Sequence, residues 1–293
     1  MGQLKIDMID YMTIRGYSQR TIKLYTNCIK ILANHYSLSP LKLSTIDLYN
    51  FMLLLKKSNR SDSTIHIYYE SIKFFYSMHN KKEIVPKIDF IKRPKRLPEV
   101  LNHDEIANIL NKCKDLRFKT ILYLLYSSGL RLSEVINLNK NDIDFKRRTI
   151  FVRNSKNNKD RYTLLSIEAE KIITNYLIVY NPKSIIFYNS KNNDKPISPS
   201  CIQRQFKNLV IKSGITKRAH VHTLRHSFAT HLLENGTSIF HIMHLLGHAH
   251  IQTTMIYLHV QASEIANIVS PLDLVFTKTN RINDRDTLFL ETA

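Results

Sequence analysis

The sequence predicts a mainly α-helical protein of two domains, with a small antiparallel β-sheet in the second domain. Apolar side chains recur at helical spacing through the first 80-odd residues and again over much of the chain after the central segment. A basic segment with two prolines breaks this periodicity and separates the two regions. We therefore expect a helical bundle over residues 1–90, a basic linker over 91–98, a mainly α domain over 99–275 and a polar tail over 276–293.

Three helices are predicted in the first domain. One begins after Ser18, whose hydroxyl can cap it, and others begin after Ser44 and from Ser63. Each has apolar side chains three or four residues apart, which form one face that must be buried. These positions are Ile22, Tyr25, Ile29, Leu32 and Tyr36; Leu48, Phe51, Met52 and Leu55; and Ile65, Tyr68, Tyr69, Ile72 and Tyr76.

The second domain is predicted to begin with a helix, because Asn102 is followed three residues later by Glu105 in a capping-box pattern. Another helix ends near Gly129, and from Ser166 onward the pattern is again helical. Between them lie three runs of β-favouring residues that predict a small antiparallel sheet. The strands are expected at 143–145, 149–152 and 162–165. Two glycines are placed where helices can end, Gly236 and Gly247.

The charge favours a polyanionic partner. Lys and Arg number 43 against 24 Asp and Glu, which gives a formal net charge of +19. Such an excess is typical of proteins that bind nucleic acid. A lysine-rich composition also arises from base-composition bias in a genome, so the charge favours nucleic acid only modestly.

Cysteine usage and hydropathy predict a cytoplasmic protein. Cys28, Cys113 and Cys201 are far apart and odd in number, which favours neither a disulfide framework nor a CxxC metal site. The first residues lack the uninterrupted apolar run of a signal peptide, and the chain has no apolar stretch of about 18 residues. We therefore expect a soluble protein with no membrane partner.

The strongest functional pattern lies within residues 221–260. The word HTLRH begins a predicted helix at His222, and Tyr257 follows nine residues after His248. His222 and Arg225 are three residues apart, so they share one face of the helix. Both side chains can therefore approach a single phosphate group.

A second motif, SGLRLSE, lies upstream. It places Arg131 after a glycine break, where a helix start would hold it rigidly, and Glu134 one turn later. With the words HTLRHSFATHLLENG and LGHAHIQTTMIYLHV, this pattern resembles the tyrosine recombinase (lambda-integrase-like) family, and the resemblance covers nearly the whole chain. The residues that match the family's patterned core, in order, are Arg131, Lys156, His222, Arg225, His248 and Tyr257.

The resemblance implies a site-specific DNA recombinase that cleaves and rejoins duplex DNA without metal, ATP or other cofactor. Tyr257 would be the nucleophile and would form a 3′-phosphotyrosyl intermediate on the way to a Holliday junction. Arg131 and Arg225 would hold the non-bridging phosphate oxygens and neutralise the charge that develops on them. A hairpin lysine would protonate the leaving 5′ oxygen, with Lys156 as the first candidate and Lys159 as the second.

The remaining site residues have supporting roles in this interpretation. His222 would assist proton transfer, His248 would hydrogen-bond the phosphate, and Glu134 would support Arg131 rather than take part in the chemistry. The residues expected to contact DNA are Arg15, Arg20, Lys23, Lys92, Arg93, Lys95, Arg96, Lys159 and Arg161.

The resemblance also implies how the protein assembles. The first domain would be a core-binding (SAM-like) domain and the second the catalytic domain, together clamping a double-stranded recombination site in the nucleoid. Self-association would give a dimer per site and a tetramer at synapsis, with a partner recombinase or accessory protein possible. An apolar face at Ile265, Ile268, Val269 and Leu272 would dock into a neighbouring protomer, and packing onto its own catalytic domain is the alternative. Because the bundle begins almost at the first residue, no additional arm-binding domain is expected.

Three alternatives stay open at this point. His241, His244, His248 and His250 could form a metal site, although no HExxH motif or paired Cys accompanies them. A type IB topoisomerase would use similar Arg, Lys, His and Tyr chemistry as a monomer. A DNA-binding regulator without activity could keep the same fold. The sequence does not identify the DNA site or distinguish dimer resolution, integration and cassette exchange.

Overall fold

The computed structural model describes residues 2–90, 97–153, 160–189 and 192–260. The chain divides into two compact units, Met1–Pro94 and Lys95–Ala293. Both units are mainly helical, as the sequence predicts. No helix in the described ranges is long and apolar enough to cross a membrane.

The described part of unit 1 is a bundle of four α-helices. They are α1 (Gly2–Ile14), α2 (Gln19–Tyr36), α3 (Thr45–Lys57) and α4 (Asp62–Met78), with 3₁₀ turns at Pro40–Lys42 and Lys82–Ile84. Ser18 accepts a hydrogen bond from the Thr21 N–H, which caps α2 as predicted. The third predicted helix, expected from Ser63, instead begins at Asp62 with Ser61 as its cap.

The sequence did not single out α1, because its apolar residues do not follow one face. Only Met8 and Met12 are buried, whereas Ile6 and Ile14 are exposed. The two methionines join the core of the bundle, whose fully buried side chains also include Leu32, Leu48, Phe51, Phe75 and Tyr76. Helix α1 is therefore stabilised by tertiary packing, and helical periodicity in the sequence does not predict it.

Unit 2 surrounds a larger core with helices and a small sheet. Its helices are α5 (His103–Lys112), α6 (Leu116–Ser127), α7 (Leu132–Ile136), α8 (Ile167–Tyr180), α9 (Pro199–Lys212), α10 (Val221–Glu234) and α11 (Ile239–Leu246). The 3₁₀ turns are Lys140–Asp142, Ile251–Thr253 and Met255–Val260. The predicted capping box is present, since Asn102 and Glu105 exchange hydrogen bonds at the start of α5.

The predicted three-stranded antiparallel sheet is present. Its strands are β1 (Ile143–Asp144), β2 (Thr149–Val152) and β3 (Arg161–Leu164), in the order β1-β2-β3. The expectation of helices alone after Ser166 is wrong, because β4 (Tyr188–Asn189) and β5 (Asn192–Pro196) form a second, two-stranded sheet. These strands are short and polar, so they lack the apolar alternation that identifies a strand in sequence.

Helix α10 is the central element of unit 2. Nine of its fourteen residues are buried, so it touches the core on nearly every side. The Ser227 hydroxyl accepts a hydrogen bond from the Leu101 N–H, which joins α10 to the start of the unit. The Thr163 hydroxyl of β3 donates to the Ser128 carbonyl, which joins the sheet to the turn before Arg131. The packing of α10 therefore fixes the positions of the elements that carry the motifs.

Several predicted residues lie outside the described residues. They are Lys92, Arg93, Lys95 and Arg96 of the linker, Lys156 and Lys159 between β2 and β3, and the apolar positions Ile265, Ile268, Val269 and Leu272.

Candidate active site

The turn before α7 positions Arg131. Gly129 has φ of +60°, and a Cβ at this position would lie 2.4 Å from a ring carbon of Phe228, so only glycine fits here. Two residues later, Arg131 is the N-cap of α7, and its backbone N–H donates to the Glu134 carboxylate at 2.7 Å. The predicted glycine break and helix start are therefore both present, and they hold Arg131 at the edge of the core.

Glu134 forms ion pairs with several arginines of the site. Its carboxylate accepts hydrogen bonds from the Arg131 guanidinium at 2.7 Å and from two Arg161 nitrogens at 2.8 and 2.9 Å. A nitrogen of Arg225 lies 3.8 Å away, and the Glu134 side chain is only 7% exposed. Burial alone would raise the pKa of Glu134, but Arg161 and then Arg131 outweigh it and lower the pKa to about 2. The buried carboxylate therefore stays charged and holds three guanidinium groups together.

The expectation that Arg161 contacts DNA is wrong for this structure. Its side chain is 7% exposed and forms a two-point ion pair with Glu134. Its Nε–H also donates to the Leu245 carbonyl at 2.8 Å. Arg161 is therefore part of the scaffold of the site. If its guanidinium moved to bind a phosphate, the buried Glu134 carboxylate would lose this ion pair.

Arg225 is buried on α10 and faces the Arg131 turn. It is 1% exposed, and its guanidinium donates to the Gly129 carbonyl at 2.6 Å and the Leu246 carbonyl at 2.5 Å. Burial lowers the pKa of Arg225 to about 9, and the charge of Arg131 acts in the same direction. The group remains protonated at neutral pH, so its charge lies near the Glu134 carboxylate together with those of Arg131 and Arg161.

His248 follows the end of α11 and links Arg225 to the turn that carries the tyrosine. Its Nε2 lies 3.3 Å from an Arg225 nitrogen, and its Nδ1 lies 2.9 Å from the Thr254 hydroxyl. Burial, followed by the Arg225 charge, lowers the pKa of His248 to about 3, so the ring is neutral. Thr254 is fully buried, and its carbonyl accepts from the Tyr257 N–H at 3.0 Å. Sequence reasoning missed Thr254, whose only signal was its place in the word IQTTMIY.

Tyr257 is buried, not free at the surface. It is 2% exposed and packs against Phe228, Ile242 and Leu246. Its hydroxyl lies 2.9 Å from Nδ1 of His226. Burial raises the pKa of Tyr257 to about 12, although the charges of Arg225 and Arg131 oppose the rise.

Sequence reasoning also assigned no role to His226. It lies in the word HTLRH, four residues after His222 and so on the same helix face, and this spacing was a usable signal. Burial, then the charges of His222 and Arg225, lower the pKa of His226 to about 4. The His226 ring is therefore neutral at pH 7.

His222 lies at the exposed edge of the site. Its ring meets the His226 ring edge-on at 4.6 Å between centroids. Desolvation, followed by the charges of Arg225 and Arg131, lowers the pKa of His222. A cleft of about 630 Å³ opens beside it, lined in part by the exposed Arg204 and Lys207.

The histidine-cluster alternative has no support in the geometry. Among the described residues, no three His, Cys, Asp or Glu side chains come together as ligands for one metal ion. Within that set, His248 is instead hydrogen-bonded between Arg225 and Thr254.

Comparison with known proteins agrees with the fold. Residues 99–264 match the phage integrase family, and residues 5–85 match the N-terminal SAM-like domain of phage integrases. The tyrosine recombinase XerA of Pyrococcus horikoshii is 33% identical over 270 residues, which are 91% of this chain and 92% of the relative. XerD of Oceanobacillus iheyensis is 31% identical, over 89% of this chain and 95% of the relative.

Solved structures share the fold. A XerA recombinase has a TM-score of 0.51 and 26% identity, over 96% of this chain and 98% of that chain. XerH bound to palindromic difH substrate, a post-cleavage complex, has a TM-score of 0.68 and 21% identity, over 86% and 80% of the two chains. A lambda integrase dimer bound to a COC′ core site has a TM-score of 0.69 and 17% identity, over 88% and 94%.

The chain therefore belongs to the phage integrase family of tyrosine site-specific recombinases, which are DNA breaking and rejoining enzymes. The family resemblance seen in the sequence is confirmed. The named relatives are recombinases, which supports this interpretation over a topoisomerase-like one.

Proposed function

We propose that this recombinase cleaves a duplex recombination site by attack of Tyr257 on a scissile phosphate held by Arg131 and Arg225. One observation carries the proposal: a buried carboxylate, Glu134, fixes both guanidinium groups in the site that contains the phenol. Such an array is set for a phosphate before the substrate arrives. Stabilisation of this kind is effective because no reorganisation is needed at the moment of reaction.

Arg131 and Arg225 would contact the phosphate in different ways. The Arg131 side chain is 22% exposed, so it can meet a phosphate at the surface of the site. Arg225 is almost fully buried and donates to two backbone carbonyls, which leaves other N–H groups of its five to face the phosphate. Together they would neutralise the charge that develops on the non-bridging oxygens as Tyr257 attacks.

The leaving 5′ oxygen needs a proton, which we assign to Lys156, with Lys159 as the second candidate. The connection that contains both lysines runs between β2 and β3, where Val152 pairs with Arg161. Arg161 is bound to Glu134, the same carboxylate that holds Arg131. Both lysines are therefore within a few residues, along the sequence, of an anchor in the site.

The histidines complete the proposed site. His222, at the exposed edge, would assist proton transfer, and His248 would hydrogen-bond the phosphate. Nε2 of His248 lies 3.3 Å from an Arg225 nitrogen, so a phosphate bound by Arg225 would lie close to the His248 ring.

Duplex DNA is the proposed partner. Related structures contain a XerH recombinase on its difH substrate and a lambda integrase dimer on a core site, and this chain carries a net charge of +19. On unit 1 the cations Arg15, Arg20 and Lys23 are exposed and available for phosphate contact. The linker residues Lys92, Arg93, Lys95 and Arg96 would add to this surface. We further propose a dimer on each site and a tetramer at synapsis, joined through the segment that contains Ile265 and Leu272.

The test is covalent trapping on a nicked suicide substrate taken from DNA beside the protein's own gene. Wild-type protein should give an adduct, and Tyr257→Phe should give none while binding duplex DNA within a few-fold. Tyr126→Phe is a matched control, because the Tyr126 hydroxyl also lies 2.9 Å from a histidine nitrogen, on His231, outside the site. An adduct that persists in Tyr257→Phe would place the nucleophile elsewhere. Joining of strands between two duplexes separates a recombinase from a topoisomerase.

A further inference from the structure

The hydrogen bond between Tyr257 and His226 joins the proposed nucleophile to a second titratable group. The two residues are 31 positions apart, and the phenol oxygen lies 2.9 Å from Nδ1 of the imidazole. Tyr257 is 2% exposed, so bulk water has little access to its hydroxyl. A proton that leaves the phenol during attack therefore has an acceptor beside it in His226.

Both partners of this hydrogen bond are neutral at pH 7, so its direction is set by the tautomer of the His226 ring. Burial raises the pKa of Tyr257 to about 12, so the phenol keeps its proton at neutral pH and can donate it. Burial, then His222 and Arg225, lower the pKa of His226 to about 4, so its ring is neutral. A neutral imidazole that accepts at Nδ1 carries its proton on Nε2. In this tautomer the lone pair of Nδ1 is directed at the proton that has to leave, and the proposal requires it.

We propose that His226 is the general base of strand cleavage, which takes the hydroxyl proton of Tyr257 on Nδ1. The step rests on the proposed role of Tyr257 as nucleophile. As the bond from the phenol oxygen to phosphorus forms, the O–H bond breaks and its proton passes to His226. The bond from phosphorus to the 5′ oxygen breaks, and that oxygen takes a proton from the general acid. In rejoining, the 5′ hydroxyl attacks phosphorus and returns its proton to the group that acted as general acid, the bond from phosphorus to the phenol oxygen breaks, and His226 returns its proton to the departing phenol.

Substrate binding would bring the proton affinities of the Tyr257 phenol and the His226 imidazole closer together. Arg225 and His222 are the charged or titratable neighbours that lower the pKa of the His226 ring, and Tyr257 faces it from the 3₁₀ turn. A phosphate bound by Arg225 would offset that positive charge and raise the proton affinity of His226. Bond formation to phosphorus at the same time makes the phenol a stronger acid. A base that is weak in the free enzyme would therefore gain strength when the scissile phosphate is in place.

The position of His222 is different. It is exposed, and its ring meets the edge of the His226 ring. In this arrangement His226 receives the phenol proton, and His222 is the next group toward solvent.

The experiment measures the rate of adduct formation on the suicide substrate with the full chain. His226→Asn keeps a hydrogen-bond acceptor but removes the base, and we expect cleavage to slow by about 10²- to 10³-fold, the usual size of a general-base contribution. A fluorinated tyrosine at position 257, whose phenol is more acidic, should reduce that loss by about tenfold or more, because a more acidic nucleophile depends less on a base. A purely structural role for His226 predicts the same loss with both nucleophiles.

His231→Asn is the matched control. His231 lies on the same helix, its Nδ1 is 2.9 Å from the Tyr126 hydroxyl, and burial likewise lowers its pKa to about 4. This variant should cleave within a few-fold of wild type. Wild-type cleavage by His226→Asn, or a loss that fluorination leaves unchanged, overturns the proposal.

A second measurement does not depend on a folded variant. In wild-type protein, ¹⁵N NMR of His226 should show an unprotonated, hydrogen-bonded Nδ1 and a protonated Nε2. The opposite tautomer overturns the proposal even if His226→Asn fails to bind DNA. If Tyr257→Phe still forms the adduct, the proposed function fails. If that variant is inactive and His226→Asn is fully active, only the general-base proposal fails.

Discussion

Replacement of Glu134 by glutamine tests whether one buried carboxylate holds the arginines of the site. Glu134→Gln keeps the size of the side chain and removes its charge. Arg131 and Arg161 then lose an ion pair at 2.7 to 2.9 Å, and the Arg225 charge beyond them is no longer balanced. The glutamine NH₂ group would also face guanidinium N–H groups that cannot accept a hydrogen bond.

The size of the effect follows from the pKa of Glu134. Burial alone would raise it, but Arg161 and Arg131 lower it from 4.5 to about 2. At about 1.4 kcal/mol for each tenfold change in the ionisation constant, this lowering corresponds to about 3 kcal/mol of stability in the ionised state. The side chain is 7% exposed, so solvent screening reduces this little. Loss of one partner from a buried ion pair typically costs about 3–5 kcal/mol, which agrees.

The pH dependence has a definite sign. Because the folded pKa of Glu134 lies below its unfolded value, its contribution is fully present above about pH 4.5 and is lost as the pH falls toward about 2. Wild type should therefore exceed Glu134→Gln in stability by about 3 kcal/mol at neutral pH, and the gap should close in acid.

Native-state hydrogen exchange of α10 amides is the assay, because it reports on the opening of unit 2 alone. Glu168→Gln is the control. Glu168 pairs with Lys171 at the surface, where both side chains are more than 60% exposed, so its loss should cost less than about 1 kcal/mol. A Glu134→Gln defect below about 1 kcal/mol, or one that does not change between neutral and acid pH, would refute the reasoning.

Three further predictions concern cleavage and binding. Arg131→Ala and Arg225→Ala should each slow adduct formation by about 10²- to 10³-fold, with duplex binding as the folding control; near-normal rates would refute their roles. Lys156→Ala should impair cleavage far more than Lys159→Ala, and a 5′-bridging phosphorothiolate, whose sulfur leaves without protonation, should restore it; rescue of Lys159→Ala instead would transfer the general-acid role. Duplex affinity should fall steeply with salt as counterions are released, and a flat titration would contradict binding through the basic surface.

The sequence by itself determined many of the helical elements, the three-stranded sheet and the family. Helix starts are decided by neighbours three residues apart, as with Ser18 and Thr21 or Asn102 and Glu105, so they can be read from local pattern. The order and spacing of Arg131, His222 and Arg225 with the tyrosine motif were sufficient for the resemblance, because the motifs of the family are also short contiguous stretches of sequence. The contact between Glu134 and Arg131 was predictable from the place of Glu134 one turn later.

Only the tertiary structure decided which side chains meet. Arg161 is charged and follows a polar stretch of the sequence, so the sequence favoured DNA contact, yet packing buries it against Glu134, 27 residues away. The pairing of His226 with Tyr257, 31 residues away, likewise depends on how the last 3₁₀ turn packs on α10. An ion pair or hydrogen bond between distant residues depends on orientation within ångströms, and helical periodicity specifies a face but not the partner that covers it.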